Sequence, residues 1–136
     1  MQIFYTDLSH LVGYNYKKLE KPFYLMDPVF LIVEYGNKRI RAKIDREFIS
    51  DGCTIPKVFR CLLGCPHTGV YLPASIIHDY ILEHPEIVHY NRKLASRIFK
   101  TALLNEGVSP LKAQIMYLAV DLWQRLVNLR THKWRC

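Results

Sequence analysis

The spacing of hydrophobic residues changes close to residue 50, and this change constrains the fold more than any other feature of the chain. Before that point, β-branched and aromatic residues form short runs and alternating segments, which are typical of strands. From Pro56 onward, apolar residues recur at steps of three and four, which is typical of helices. A β-rich first part followed by a helical second part predicts an α+β fold.

The first part predicts an antiparallel β-hairpin. Pro28–Tyr35 is a β-branched and aromatic run, Gly36 and Asn37 supply a two-residue turn, and Lys38–Ile44 alternates polar and apolar residues. Lys21–Met26 is predicted to be a neighbouring strand. Because alternate residues share one face of a strand, the second strand carries a basic stripe. The stripe consists of Arg39, Arg41 and Lys43.

Four helices are predicted after the hairpin. They are Pro56–Leu63, Pro73–Glu83, Arg92–Glu106, and a long helix from Pro110 to about Leu129. Asn91 can cap the third helix and Gly107 can end it. The last helix is predicted to pack its apolar face on the core. That face consists of Leu111, Ile115, Leu118, Leu122 and Leu126, and Trp123 is also predicted to be a core residue.

The predicted architecture is an N-terminal antiparallel hairpin or small sheet packed on a C-terminal bundle of about four helices. A chain of 136 residues has the length of a single domain, here β-rich over 1–50 and helical over 56–130.

The charge balance favours an anionic partner. Nineteen Lys and Arg residues stand against twelve Asp and Glu residues, and the formal net charge is +7. The positive electrostatic field attracts nucleotides, nucleic acid and phospholipid alike. A solvated basic surface without a partner would have the same charge balance. Nucleic acid is disfavoured because no recognised binding module is present. No apolar run approaches the ~20 residues of a membrane span, and the N-terminus does not resemble a signal peptide. A cytoplasmic protein without a membrane partner is expected.

The first candidate site lies where the strands give way to the helices, at Ser50–Pro56. Gly52 permits a tight turn there, and Asp51 or Thr54 can satisfy the free amides of the following helix. The same turn could place the Asp51 carboxylate and the Thr54 hydroxyl where an anion or a metal-bound phosphate also binds. A structural turn and a ligand site are both open at this stage.

The second candidate site is His78-Asp79-Tyr80, inside an otherwise apolar helix. Adjacent ionisable side chains in such a helix need partners, because burying them unpaired costs several kcal/mol. His78 and Asp79 could together bind a divalent metal, Mn²⁺ or Mg²⁺. The alternative is a structural His–Asp–Arg network, for which Arg92 is the natural cation. The predicted catalytic residues are His78, Asp79 and Asp51, and the predicted ligand-binding residues are Thr54, Tyr80, Arg92, Arg39 and Arg41.

His67 precedes this doublet and Asp121 follows it. That order resembles the ligand order of metal-dependent phosphohydrolases with a His-Asp doublet. The spacings are shorter here, and those enzymes are all-helical, whereas this chain begins with strands. A metal at the doublet is therefore a hypothesis that does not depend on homology to them.

A set of short motifs resembles one family more closely. The motifs are Phe48-x-x-Asp51-Gly52-x-Thr54-Ile55-Pro56, Ile77-His78-Asp79-Tyr80, Asn91-Arg92, Arg97-Ile98-Phe99, Gly107-Val108 and Met116-Tyr117. Over about Phe30 to Trp123 the chain resembles the small phage and prophage proteins grouped as domain-of-unknown-function family 1353. The family pattern has an Asp where this chain has Ser96. If that Asp is a metal ligand in relatives, Ser96 favours binding over catalysis.

Together these features predict a phage-encoded accessory protein, acting in the host cytoplasm, that binds a small anionic, nucleotide-like ligand in a His/Asp pocket and could hydrolyse it. Countering host nucleotide signalling is one such role. If the protein is an enzyme, a metal-dependent, phosphodiesterase-like hydrolase is expected, and the pocket could lie at a homo-oligomer interface. The alternatives are a structural component of the virion or tail, or a metal-dependent hydrolase acting on the cell wall. Asp51, His78 and Asp79 are expected to converge between hairpin and helices.

Overall fold

The α+β order predicted from the sequence is confirmed by a computed structural model, which describes residues 1–8, 11–14, 23–45, 49–50 and 72–131. The strands are β1 (Gln2–Tyr5), β2 (Val12–Tyr14), β3 (Phe23–Leu25), β4 (Val29–Tyr35), β5 (Lys38–Ile44) and β6 (Ile49–Ser50). The helices are α1 (Leu72–Glu83), a short 3₁₀ helix (Pro85–Val88), α2 (Arg92–Asn105) and α3 (Pro110–Thr131). The described part of the chain thus holds three α-helices, and the predicted helix Pro56–Leu63 lies outside it.

The predicted hairpin is confirmed as β4–β5. Tyr35 pairs with Lys38 across the turn, and Gly36 adopts a φ of 57°, a left-handed conformation that glycine accepts without steric cost. The inward-facing side chains of Val29, Leu31 and Val33 on β4 are buried. The stripe of Arg39, Arg41 and Lys43 is exposed, as the period of two requires.

The strand beside the hairpin is not the predicted one. β1 pairs antiparallel with β4, which gives a sheet in the order β1-β4-β5. Phe23–Leu25, within the predicted Lys21–Met26, is a strand, but it is the middle strand of a second sheet in the order β2-β3-β6. The prediction of Lys21–Met26 as the neighbour was therefore wrong, because β1 is only four residues long and its pairing with β4 is non-local.

Helix α1 lies inside the molecule. Every side chain from Pro73 to Asp79 is buried, and Ile81 is buried as well. A helix with buried residues on all sides belongs to a core rather than to a surface layer. It ends two residues before Pro85, consistent with the restriction that proline places on the residue preceding it.

Helix α2 has the ends that the sequence predicts. The Asn91 side chain accepts a hydrogen bond from the amide of Leu94 at 3.1 Å and caps the first turn. At the other end Gly107 adopts a φ of 87°, and the amide of Val108 donates to the carbonyl of Leu103. This pattern is a Schellman motif. The apolar face of α2 is buried and consists of Leu94, Ile98, Ala102 and Leu103.

Two hydrogen bonds fasten the first sheet to the end of α2. The Tyr5 hydroxyl donates to Oε1 of Glu106 at 2.5 Å, and Nδ2 of Asn105 donates to the carbonyl of Ile3 at 3.0 Å. Burial raises the pKa of the Tyr5 phenol, and the bond to Glu106 raises it further. The phenol is therefore a neutral donor at physiological pH.

Helix α3 packs on α2 with a face other than the predicted one. The buried side chains of α3 include Ala113, Met116 and Val120, followed by Gln124 and Asn128. The predicted core face is exposed, from 40% at Ile115 to 72% at Leu111, and Trp123 is 41% exposed. This prediction was wrong because both sides of α3 carry apolar residues at helical spacing. None of the helices among the described residues has the length and hydrophobicity of a membrane span.

Candidate functional site

The His-Asp doublet lies in the core. His78 is fully buried, and its ring centroid is 5.2 Å from that of Phe99 on α2. Burial lowers the pKa of the His78 imidazole to about 4, so the ring is neutral at physiological pH. A neutral imidazole is the form that binds a metal or accepts a proton. Asp79 is 8% exposed, and the doublet therefore meets almost no solvent.

Tyr80 connects this helix to the hairpin. Its hydroxyl donates to the backbone carbonyl of Lys43 at 3.0 Å, and its ring packs 4.6 Å from the His84 ring. Burial raises the pKa of the Tyr80 phenol, and the carboxylates of Asp45 and Glu86 raise it further. The phenol is thus a neutral hydrogen-bond donor that is engaged with backbone.

Arg92 forms a buried ion pair with Asp121. Its Nη1 contacts Oδ1 of Asp121 and also donates to the carbonyl oxygen of that residue at 3.3 Å. The Ser96 hydroxyl donates to the same Oδ1 at 3.1 Å. Arg92 is thus the cation of an ion pair with Asp121, whereas the predicted network of Arg92 with His78 and Asp79 stays a prediction. The predicted contact of Arg92 with a ligand also stays a prediction.

One face of helix α2 contacts both α1 and α3, because Arg92, Ser96 and Phe99 follow one another at steps of four and three residues. Phe99 contacts His78 on α1, whereas Ser96 and Arg92 contact Asp121 on α3. In this chain Ser96 serves as a hydrogen-bond donor to Asp121, a role that an ionised Asp could not fill.

The two hairpin arginines lie on the exposed face of β5. Arg39 donates to Oε1 of Glu34 through Nε at 3.0 Å and through Nη2 at 2.5 Å. The two residues are direct partners across β4 and β5, so this is a cross-strand ion pair. Arg41 pairs in register with Ile32 and is exposed.

Asp51 and Thr54 lie outside the described residues, and so does His67. Strand β6, which ends one residue before Asp51, contacts α1. Among the described residues, no group of three or more His, Cys, Asp or Glu side chains could hold a metal ion. The Asp79 carboxylate is a ligand that suits Mn²⁺ or Mg²⁺, but among the described residues no third His, Cys, Asp or Glu side chain joins His78 and Asp79. The predicted convergence of Asp51 with this doublet stays a prediction.

A second site, which we call the basic groove, lies on the surface. It has a volume of about 710 Å³. It is lined by Tyr35, Lys38, Val88, His89, Asn91, Lys93, Leu94, Arg97 and Tyr117. Three of these side chains are permanent cations, two are tyrosines and none is acidic. This combination attracts an anion and offers aromatic rings to a planar group.

The wall of the groove is held in place by a tight backbone turn. His89 and Tyr90 have φ values of 54° and 60°, which are uncommon for residues other than glycine. Their amides donate to the carbonyls of Glu86 and Pro85 at 3.1 and 2.9 Å. The turn leads into Asn91 and the N-terminus of α2, whose first turn carries no acidic residue. The partial positive charge of that end adds to the cations.

Two more contacts order the helical side of the groove. Nζ of Lys100 donates to Oε1 of Gln114 at 2.6 Å and lies 5.5 Å from the centroid of the Tyr117 ring. The ammonium group therefore fixes a ring that lines the groove.

Sequence reasoning did not identify this groove. Its cations come from β5 and from two positions of α2, and Tyr117 comes from α3. One pattern could have indicated it: Lys93 and Arg97 are four residues apart on α2, just after the Asn91 cap, and so lie on one helix face. The hairpin side of the groove depends on tertiary contacts.

Residues 29–120 match the family described as "Protein of unknown function (DUF1353)", and the protein belongs to that family. The match begins at β4 and ends within α3, so it includes the hairpin, the His-Asp doublet and the basic groove.

One relative is described as "Uncharacterized protein y4jT", from Sinorhizobium fredii. It is 39% identical to this chain over 70 residues, which are 52% of this chain. The aligned part is 20% of the relative, so this chain corresponds to about a fifth of that protein. No solved structure matches the chain significantly.

Proposed function

We propose that this protein binds a small anionic ligand of the nucleotide class in the basic groove. The observation that carries the proposal is the lining of the groove, in which Lys38, Lys93 and Arg97 converge and no described residue supplies a carboxylate. Cations that no acid neutralises attract a phosphate more strongly than cations held in ion pairs. Arg39 and Arg92 each have a carboxylate partner, and for this reason we assign the phosphate to the groove.

The size and the aromatic lining support a nucleotide. A volume of about 710 Å³ lies within the usual range of small-molecule sites, about 300–1,000 Å³. Tyr35 and Tyr117 are half-buried, so their rings are partly ordered yet open to a base. A base stacked on tyrosine contributes roughly 1–3 kcal/mol to binding, about as much as a charged hydrogen bond. A nucleoside phosphate would use both kinds of contact.

Hydrolysis at the His-Asp doublet is a second candidate, because the buried His78 stays neutral, which is the form of imidazole that binds a metal. Binding and hydrolysis have different products. A panel of cyclic and linear nucleotides is incubated with the protein, with and without Mn²⁺ or Mg²⁺, and depletion is followed by chromatography. Intact nucleotide recovered after denaturation indicates binding, whereas a new product that His78→Ala abolishes indicates catalysis.

Two substitutions test the groove itself. Lys93→Gln and Arg97→Gln are expected to reduce nucleotide retention about tenfold each, which corresponds to the loss of one charge-assisted hydrogen bond. Lys112→Gln is the matched control, because it removes an exposed cation that does not line the groove. Depletion of no nucleotide would contradict the proposal and would leave the virion or tail component as the better hypothesis. Retention that depends on Arg41 but not on Arg97 would move the site to the hairpin stripe.

A further inference from the structure

The outward face of α3 is more apolar than the face packed on the rest of the protein. Its exposed residues, which we call the outer stripe, are Leu111, Ile115, Leu118, Leu122, Leu126 and Leu129. Their exposed fractions range from 40% to 72%. On the inner face the second half of the helix instead buries Gln124 and Asn128. A helix that is apolar on both sides normally has both sides covered.

The spacing of the outer stripe is that of helix–helix pairing. Successive members are separated by four, three, four, four and three residues. Leu111 and Leu118 are one heptad apart, and so are Ile115, Leu122 and Leu129. A seven-residue repeat keeps a seam on one side of a helix and allows it to interlock with another helix. The partner it fits is therefore another helix with the same repeat.

The area of the outer stripe fits a dimer. From Leu111 to Leu129 the helix rises about 27 Å. Six side chains with these exposures leave roughly 600 Å² of apolar surface in water, at the upper limit of the largest patch on a typical monomer. Two copies of the stripe would hide on the order of 1,200 Å², the lower limit of specific interfaces. The stripe on a second copy of this chain supplies that match without any further partner.

The position of Arg125 decides the direction of pairing. It lies one heptad after Leu118, at the seam, and it is exposed. In a parallel pair Arg125 would face its own copy, and two like charges would meet at the seam. In an antiparallel pair centred between Leu118 and Leu122, Arg125 instead lies opposite Ile115 of the second copy. Its long side chain can then reach solvent.

We propose that the protein forms an antiparallel two-fold dimer through α3, in which Leu118 packs against Leu122 of the second copy. Leu111 then lies opposite Leu129 of the second copy, and the interface is isologous, as in most homodimers. Each copy carries its own basic groove, so one dimer carries two grooves. The dimer is independent of the ligand that the groove binds.

Sedimentation equilibrium of the full chain, with light scattering as a second measurement, tests this inference. The wild-type protein is expected to have twice the chain mass of 16.0 kDa. Leu118→Asp and Leu122→Lys are each expected to give the monomer mass. The double substitution Leu118→Asp with Leu122→Lys is expected to restore the dimer, because the antiparallel pair brings each Asp against a Lys of the other copy.

Leu104→Asp is the control for a charge on an exposed leucine, because Leu104 is 41% exposed but lies on α2, outside the stripe. It is expected to remain dimeric. Far-ultraviolet circular dichroism of every variant verifies that the helices are retained. A monomeric wild-type protein, whether or not it binds anionic vesicles, would overturn the inference. So would a folded double variant that stays monomeric, because a parallel pair would place Asp against Asp.

Discussion

The His-Asp doublet and the basic groove use ionisable residues in opposite ways. His78 and Asp79 lie in a core helix, and the neighbouring Arg92–Asp121 pair is buried as well. Lys38, Lys93 and Arg97 line an open groove and have no acidic neighbour in its lining. Removing one partner of the buried pair would destabilise the fold, whereas the exposed cations contribute a field that acts on solutes. A conspicuous ionisable residue in an apolar sequence therefore does not by itself mark the surface that meets a ligand.

The largest expected difference between the two regions is in stability. Arg92→Ala removes one partner of a buried pair and leaves Asp121 without its cation, which typically costs about 3–5 kcal/mol. Arg39→Ala breaks the exposed pair with Glu34 and is expected to cost no more than about 1 kcal/mol. Urea denaturation of both variants measures the free energy of unfolding. Equal losses would contradict the distinction between the buried and the exposed pair.

The second expected effect is a pH dependence that belongs to the doublet. The pKa of His78 is about 4 in the folded protein and about 6.5 in the unfolded chain. Between these values the unfolded chain binds a proton that the folded protein does not bind. The free energy of unfolding should therefore be unaffected by His78 above pH 6.5 and should fall by roughly 3 kcal/mol toward pH 4.

His78→Gln tests this effect because glutamine does not titrate. The variant should lack the part of the pH dependence that His78 contributes, whatever its stability at neutral pH. His89→Gln is the control, since His89 is exposed in the groove wall. Urea denaturation at a series of pH values gives the comparison. An unchanged slope in the His78 variant would show that the imidazole titrates in the folded protein.

Some parts of the fold could be predicted from the sequence and others could not. The hairpin and the caps of α2 depend on residues that are close together in the sequence. Alternating residues and the Gly36-Asn37 turn specify the hairpin. Asn91 and Gly107 specify the two ends of α2. The pairing of β1 with β4 joins segments that are far apart in the chain, and the spacing of hydrophobic residues does not indicate which strands pair. The periodicity of α3 predicts a helix but does not choose between its two apolar faces.

The candidate sites likewise depend partly on local sequence and partly on contacts between distant segments. The burial of His78 could be predicted, because the residues around it are apolar over the whole helix. The contact of Arg92 with Asp121 was harder to predict, since it depends on the packing of α2 on α3. The basic groove combines three segments, and only its Lys93–Arg97 side can be recognised in one stretch of sequence.

A third prediction separates the cap of α2 from the groove that it borders. Asn91→Ala removes the hydrogen bond to the Leu94 amide and is expected to cost about 1 kcal/mol of unfolding free energy. Asn91→Asp keeps an acceptor at the cap, so the free energy of unfolding should hardly change. It also adds a negative charge to the groove lining, so nucleotide retention should fall. Thermal denaturation and the chromatographic assay measure the two effects. Full retention by the Asp variant would argue against a phosphate beside Asn91.

Substitutions of the groove cations are expected to change stability least and nucleotide binding most. Lys93→Gln and Arg97→Gln remove exposed cations that pair with no described carboxylate, so the free energy of unfolding should change by no more than about 0.5 kcal/mol. Nucleotide retention by the wild-type protein should weaken as salt is raised, because exposed charges are screened within about 10 Å at 0.1 M salt. In either variant this dependence should be shallower, because one cation fewer contributes to the attraction. Retention by wild-type protein that is insensitive to salt would indicate that the groove cations do not hold the ligand. A steep, unchanged dependence in both variants would indicate that other cations, such as Arg41 on the hairpin, hold it instead.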